Sequence, residues 1–172
     1  MKKSTNWKHW IAQMDDNLCP DCLSRHGKIY HINEKPVPKP PLHLYCRCII
    51  IKMNSIKAGT ATYDNINGAD WYIKQHRKLP NNYITKYEAQ KFGWKTNGNT
   101  LSDVCPNKMI GGDIFYNAEG KLPTTYGRIW YEADINYTQG QRNIERIVYS
   151  NDGLIFASYD HRATFYEIQI KE

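Results

Sequence analysis

The stretch RIWYEADINYTQGQRNIERIVYS, residues 128–150, decides the predicted fold. It contains two runs of alternating apolar and polar residues, 128–137 and 142–150, joined by the Gly-containing turn YTQGQ. Alternation with a period of two is typical of a β-strand that buries one face. Both runs also carry arginines and carboxylates. The stretch therefore predicts a charged β-hairpin, whose charges face either water or a substrate.

The alternation can bring one carboxylate of this hairpin next to two cations. It places Glu132 on one face of the first strand, and Arg142 and Arg146 together on one face of the second. Across a hairpin these three side chains can meet. Such a cluster is often a plain cross-strand ion-pair network, and the pattern by itself favours that interpretation over a catalytic one.

The segments around the hairpin indicate the fold class. Residues 113–116, 153–159 and 164–170 are short, rich in β-branched and aromatic residues, and bounded by turn residues, so they predict further strands. Three helical segments come first: NINGADWYIKQHRKLP, TKYEAQKFG with a capping box at Thr85 and Glu88, and TLSDVCP. Helices followed by a strand meander predict an α+β fold, with N-terminal helices packed on one face of an antiparallel sheet.

Length and composition restrict the organisation of the chain. The 172 residues, 41% of them hydrophobic, suffice for one compact domain and a small appendage. We find no apolar run of about 18 residues, so we expect no membrane span. The N-terminal stretch lacks the apolar core of a Sec signal peptide, so any export would use another route.

The cysteines divide the chain into a Cys-rich module at residues 1–52, a polar linker at residues 53–62 and a second domain at residues 63–172. Two close pairs in the module predict a structural zinc site, with His43 as a spare ligand. The paired residues are Cys19, Cys22, Cys46 and Cys48. Two disulfides, or free thiols, are the alternatives.

Charge is concentrated in the same N-terminal part. Residues 1–56 hold 9 Lys and Arg against 4 Asp and Glu, which gives +5 of the total net charge of +6. The excess could attract nucleic acid without sequence preference, although basic stretches more often serve solubility.

Several motifs resemble the barnase-type family of bacterial guanyl-specific ribonucleases. They are KLPNNYITKYEAQKFGW, NKMIGGDIF, EGKLP, GRIWYEADINYTQGQRN, RIVYS and DH, in this order, over about residues 63–170. The resemblance implies the microbial ribonuclease fold. It also implies cleavage of single-stranded RNA after guanosine, by transphosphorylation to a 2′,3′-cyclic phosphate, without a metal or other cofactor.

The resemblance implies five catalytic residues, whose chemistry suits that reaction. Glu132 matches the general base that takes the 2′-hydroxyl proton, and His161 matches the general acid that protonates the leaving 5′-oxygen. An imidazole can donate and regain a proton near neutral pH. Three cations match groups that hold the phosphate and stabilise the transition state. These are Lys86, Arg142 and Arg146.

The substrate-binding residues fit the family pattern less completely. Phe115, Asn117 and Glu119 match the guanine-binding loop, where Glu119 would accept hydrogen bonds from the base. Three positions depart from the family: Ala118 replaces an arginine, Ile144 a small polar residue, and Arg162 a tyrosine. These departures put substrate affinity and base preference in doubt. We assign Arg162 to substrate binding, because its cation could hold the phosphate in place of the arginine that the family has at position 118.

Residues 7–51 resemble the C-terminal end of phage Mu-type minor head proteins, in the paired cysteines and the PP-H-CRC ending. The combination suggests a phage-linked ribonuclease toxin, monomeric, acting in a target-cell cytoplasm and restrained by an acidic barstar-like immunity protein. One alternative is a catalytically impaired, nucleic-acid-binding phage head protein. Another is a structural zinc module that carries an incidental second domain.

Overall fold

A computed structural model describes residues 5–170 of the chain. Four short α-helices occur in this part: α1 (Pro20–Arg25), α2 (Ala69–His76), α3 (Lys86–Lys91) and α4 (Leu101–Val104). The strands are β1 (Trp7–Ile11), β2 (Ile29–His31), β3 (Ile49–Lys52), β4 (Ser55–Lys57), β5 (Tyr83–Ile84), β6 (Met109–Phe115), β7 (Trp130–Asp134), β8 (Arg146–Ser150), β9 (Ile155–Ser158) and β10 (Tyr166–Gln169). None of these helices has the length and apolar character needed to cross a bilayer.

The strands form two sheets. The larger sheet has seven strands in the order β4-β10-β9-β8-β7-β6-β5, and the smaller has three in the order β2-β1-β3. The five central strands of the large sheet are antiparallel, whereas β4 and β5 pair in parallel at its two edges. The helices α2, α3 and α4 precede the antiparallel meander. The predicted α+β fold is therefore confirmed.

The hairpin predicted at residues 128–150 is present, but it is shorter than expected. Asp134 pairs with Arg146 at the end of the ladder next to the connecting loop, so Arg142 lies in that loop rather than in a strand. One more backbone bond crosses the hairpin, from the Ile135 N–H to Glu145 O at 3.3 Å, and beyond it the Asn143 side chain bonds the backbone instead. Its Nδ2 donates to Ile135 O at 2.8 Å, and its Oδ1 accepts from the Glu145 N–H at 3.1 Å. The prediction of a strand from residue 142 is therefore wrong.

One face of the large sheet is covered by α2. Ala69 and Ile73 of this helix pack in a cluster with Ile135, Ile147 and Ile155 from the strands. Because strand side chains alternate, Glu132, Asp134 and Arg146 lie on the other face. Helix α2 thus lies on the face opposite these charges.

Residues 53–62 are part of the core rather than a polar linker, so that prediction is wrong. Ser55–Lys57 forms β4, which pairs in parallel with β10. Met53 is 2% exposed, and Ala58 and Ala61 are also buried. The linker interpretation failed because the segment looks polar, yet Ile56 of β4 and the apolar residues on either side of this strand pack in the core.

The Cys-rich module packs on the charged face of the large sheet, at one end. Trp7 and Ile29 of the module, together with the adjoining Met53, form one apolar cluster with side chains of the second domain. Those partners are Leu122, Trp130, Val148, Phe156 and Phe165. Residues 1–4 and 171–172, which the predicted domain boundaries include, lie outside the described residues.

Candidate active site

Glu132 lies at the centre of the charged face, on β7. Its side chain is 10% exposed and is held by two cations. Lys86 Nζ donates to Glu132 Oε1 at 2.8 Å, and an Arg162 guanidinium N–H donates to Oε2. Both oxygens therefore have a charged donor, and the carboxylate is fixed in one orientation.

The surroundings of Glu132 favour its ionised form. Burial opposes ionisation of the carboxyl group, but the charges of Lys86, Arg162 and Arg146 outweigh this effect. The pKa of Glu132 consequently lies below its ordinary value. A carboxylate that must accept a proton benefits from such an environment, because it is ionised and ready at neutral pH.

Asp134, two residues further along the same strand face, takes the two arginines that were expected beside Glu132. Arg142 donates to both Asp134 oxygens, at 2.6 and 2.7 Å. Arg146 Nε lies 3.0 Å from Asp134 Oδ1. The sequence pattern predicted the right cluster of charges but not which carboxylate each arginine contacts.

Lys86 owes its position to the start of α3. The Thr85 side chain accepts a hydrogen bond from the Glu88 N–H, and Glu88 accepts one from the Thr85 N–H, so the predicted capping box is present. Asp113 Oδ2 then accepts from the Lys86 N–H at 3.0 Å. A β-bulge between Gly111 and Asp113 turns this carboxylate toward the helix.

His161 lies on the loop between β9 and β10, on the exposed rim of the site. Both His161 and Arg162 have positive φ values, 56° and 67°. The loop is held by Asp160, which accepts hydrogen bonds from Ser158 Oγ at 3.0 Å and from the Thr164 backbone at 2.9 Å. This local network orients two consecutive side chains toward the charged face.

Arg162 connects the residues expected to act as acid and base. Its guanidinium group contacts Glu132, and one of its nitrogens lies 3.3 Å from His161 Nε2. It also stacks over the Phe115 ring, with 5.4 Å between the guanidinium carbon and the ring centroid. The structure therefore brings Glu132, Lys86, His161 and Phe115 to one site, with Arg162 in the middle.

The predicted guanine-binding loop, which follows β6 and contains Asn117 and Glu119, borders this site and is called the recognition loop below. Asn117 closes the loop by two hydrogen bonds to the Leu122 backbone, at 2.9 and 3.0 Å. Glu119 is exposed and forms an ion pair with Lys121 at 2.9 Å. A cavity of about 160 Å³ lies between this loop and the His161 loop, and Ala118 and Arg162 contribute to its wall. Ile144 lies apart from this cavity, exposed in the hairpin loop.

A larger cavity of about 820 Å³ lies near α2, lined by Lys74, Arg77, Tyr131 and Tyr149 among others. Its lining contains none of the predicted catalytic or base-binding residues. Cavity size therefore does not select the candidate site, which is chosen instead because a carboxylate, an imidazole and several cations converge there.

The four module cysteines lie together with His43. His43 Nε2 is 3.2 Å from Cys19 Sγ and 3.4 Å from Cys22 Sγ, and the Cys22 and Cys46 sulfurs are 3.7 Å apart. Cys48 completes a second group with Cys22 and Cys46. Four ligands at about 2.3 Å around a tetrahedral zinc ion are separated by similar distances. The sulfur distance is far longer than a disulfide bond of about 2.05 Å.

Protonation differs among the groups of this cluster. His43 Nδ1 lies 2.8 Å from Leu44 O, which can only accept, so Nδ1 carries the proton and Nε2 faces the sulfurs with its lone pair. Backbone N–H groups, chiefly that of Leu42, lower the pKa of Cys46 to about 6 despite desolvation. Burial raises the pKa of Cys22, so the thiols differ before any metal is bound.

Comparison with known proteins agrees with this arrangement. Residues 67–169 match the family model described as ribonuclease, and residues 1–51 match the one described as Phage Mu protein F like protein. The chain belongs to the ribonuclease family. A ribonuclease of Heyndrickxia coagulans is 48% identical over 109 residues, which cover 63% of this chain and all of the relative. Ribonucleases of Bacillus intermedius and Bacillus pumilus are each 45% identical over 119 residues, covering 69% of this chain and 74% of each relative. The predicted resemblances to both families are therefore confirmed.

Three carboxylates of this ribonuclease site were not predicted. Asp134 binds both arginines, Asp113 binds the first turn of α3, and Asp160 holds the His161 loop. Asp134 could have been found, because alternation places it on the same strand face as Glu132. The other two depend on a bulge and on loop geometry, which leave no periodic pattern in the sequence.

Proposed function

We propose that this ribonuclease cleaves single-stranded RNA on the 3′ side of guanosine, without a metal ion, through a 2′,3′-cyclic phosphate. The 2′-oxygen attacks phosphorus, and Glu132 takes the proton of the hydroxyl group. The bond from phosphorus to the 5′-oxygen breaks, and His161 protonates that oxygen as it leaves. Protons and charge thus balance without a further reactant.

The observation that carries the proposal is the Arg162 contact with both proposed proton-transfer groups. A phosphate that bound this guanidinium group would lie between Glu132 and His161. Lys86 is also close to that position through its bond to Glu132. Lys86 and Arg162 would then stabilise the negative charge of the phosphorane, and Arg142 and Arg146 would add to the positive field.

Base recognition is proposed for the loop bordering the small cavity. Glu119 would accept hydrogen bonds from the guanine edge, and Asn117 would hold the loop conformation through its hydrogen bonds to the Leu122 backbone. Phe115 would stack against the base or against Arg162. In the free protein Glu119 is paired with Lys121, so a guanine would have to displace this exposed ion pair. Exposed pairs contribute only about 0–1 kcal/mol, so displacement would cost little.

The test compares the dinucleotides GpU and ApU, with the product identified by mass spectrometry in the presence of EDTA. Glu132→Gln and His161→Gln should each lower kcat/KM by about 10²–10⁴-fold, the range for losing one general acid or base. Asp152→Asn, which changes a carboxylate away from the site, serves as a control. Full activity in both site variants would exclude the mechanism, and equal cleavage of GpU and ApU would exclude the role of Glu119.

A second candidate is an RNA-binding head protein with impaired catalysis. The match of residues 1–51 to a phage protein family and the departures at 118, 144 and 162 favour it. This candidate predicts that the chain binds RNA but does not cleave it. The same dinucleotide assay, combined with a binding measurement on a non-cleavable 2′-deoxy substrate, separates the two candidates.

We also propose a structural zinc ion in the module, a toxin role and an acidic immunity protein that covers the cationic site. Residues 1–52 would form the phage-derived module and residues 63–172 the ribonuclease domain. The Heyndrickxia coagulans ribonuclease supports this division, because 109 residues of this chain match it over its whole length.

A further inference from the structure

Residues of the Cys-rich module touch both loops that border the proposed base site. The Ile29 N–H donates to Lys121 O at 2.7 Å, which ties the module to the recognition loop. Gly27 approaches the His161 loop so closely that a Cβ atom there would lie 1.9 Å from Ala163 O. The turn after α1 and the start of β2 therefore contact two separate parts of the candidate site.

Buried side chains reinforce these backbone contacts. Leu122, which ends the recognition loop, and Phe165, which ends the His161 loop, are at most 2% exposed. Both belong to the cluster that contains Trp7 and Ile29 of the module. Thr5 adds a buried hydrogen bond to Glu167 Oε2 at 2.6 Å. An apolar contact of this kind fixes position, because it cannot slide without exposing surface or opening a void.

The two loops are also linked to each other, through Lys121. Its Nζ lies 3.3 Å from Arg162 O and 2.9 Å from Glu119 Oε2. Its backbone carbonyl is the group that accepts from Ile29. A shift of the module would therefore move Lys121, and with it the relative positions of Glu119 and Arg162.

The small sheet of the module connects these contacts to the Cys/His cluster. On β1, Trp7 faces the ribonuclease cluster, and Trp10 packs on the other side with Cys22 and Cys48. On β2, Ile29 packs in the ribonuclease cluster, and Tyr30 packs on the other side with the cysteines. The sheet is thus held between the two loops on one face and the cysteines on the other.

We infer that the module is a positioning element of the ribonuclease site, which fixes the recognition loop and the His161 loop relative to each other and so sets base preference. Gly27 and Ile29 are the positioning residues. The inference rests on the proposed cleavage after guanosine. It assigns to the phage-derived segment a part in substrate selection, beyond a role in attachment or delivery.

Gly27→Ala is the most direct test. The added methyl group would be about 1.5 Å inside the ordinary contact limit of 3.4 Å to Ala163 O, so the module and the His161 loop must separate. Gly127→Ala is the matched control, because Gly127 has a similar φ of 77° against 80° and nothing within 4 Å of the added Cβ. Both variants carry the same backbone strain, and only Gly27→Ala disturbs the loops.

Two quantities are measured: the ratio of kcat/KM for GpU to kcat/KM for ApU, and the affinity for guanosine 3′-monophosphate. Both are measured at a temperature where circular dichroism shows that both variants are folded. We expect Gly27→Ala to lower the ratio by about 10-fold or more, since a displacement of about 1 Å can cost up to ~10²-fold. Gly127→Ala should leave the ratio unchanged. A loss of folded protein alone would reduce both substrates equally and leave the ratio intact.

Ile29→Ala is measured in parallel, with the exposed Ile51→Ala as its control, so that the test does not depend on Gly27→Ala being folded. A reduced ratio in Ile29→Ala supports the inference. An unchanged ratio and guanosine affinity in the folded variants overturns it, while wild-type cleavage after guanosine keeps the proposed function. Absence of cleavage by the wild-type chain would instead overturn the proposed function.

Discussion

Replacing Asp134 with Asn removes the negative charge that Arg142 and Arg146 share, while it keeps the size of the side chain. The Asp134 side chain is 1% exposed, and those of Arg142 and Arg146 are 20% and 7% exposed. All three contacts are 3.0 Å or shorter. Removing one partner of a buried ion pair costs about 3–5 kcal/mol, because the remaining charge stays buried without compensation. We expect a loss of about 3–5 kcal/mol in the free energy of unfolding.

Urea unfolding at pH 7 measures this loss. With a slope of roughly 1–3 kcal/mol per molar urea, the midpoint should fall by about 1 M or more. Asp15→Asn is the control, because the side chains of Asp15 and its partner Arg47 are 32% and 48% exposed. An exposed pair contributes about 0–1 kcal/mol, so the control midpoint should hardly change. A loss for Asp134→Asn no larger than that of the control would refute the reasoning from burial.

Three further predictions concern the site, the module and a partner. Lys86→Met should move the acidic limb of the kcat/KM pH profile to higher pH. The Lys86 cation helps to hold the pKa of Glu132 below its ordinary value, and the base is lost as the pH falls through that pKa. An acidic limb that stays in place would count against Glu132 as the base. Elemental analysis of the chain purified under reducing conditions should find about one zinc per chain. Cys46→Ser should lose this zinc, and Cys105→Ser should keep it, because Cys105 lies outside the cluster. Absence of zinc from the wild-type chain would contradict the site. An acidic inhibitor that covers His161 should associate more slowly as salt rises, because screening weakens the attraction between opposite charges; a rate independent of salt would contradict this mode of inhibition.

The elements that follow from local sequence were predictable. The capping box at Thr85 placed the start of α3, and the alternation around Glu132 placed β7 and its charged face. These features depend on residues close together in the chain. The order of the motifs then indicated the ribonuclease family. His161 was predicted as a site residue from that resemblance alone, because nothing in the sequence around His161 distinguishes it from an ordinary loop histidine.

The parts that depend on contacts distant in sequence were not predictable. Arg142 lies in a loop because Asn143 replaces ladder hydrogen bonds, and a period-two pattern cannot show where a ladder ends. Residues 53–62 look like a linker because an edge strand needs few apolar side chains. The packing of Ile29 against Leu122 joins residues 93 positions apart, so only the folded chain shows that the module reaches the site.

The two carboxylates on β7 show why position rather than residue type decides function here. Glu132 and Asp134 share a strand face, and each binds two cations. Asp134, almost wholly buried, has no room for a substrate atom, so its charge serves to hold the two arginines. Glu132 keeps 10% of its side chain exposed beside Arg162, the group that also contacts His161. Around Glu132 itself two cations, Lys86 and Arg162, contact one carboxylate, so this end of the face holds more positive than negative charge. We therefore expect a phosphate to be attracted here, next to the carboxylate that opens toward the imidazole.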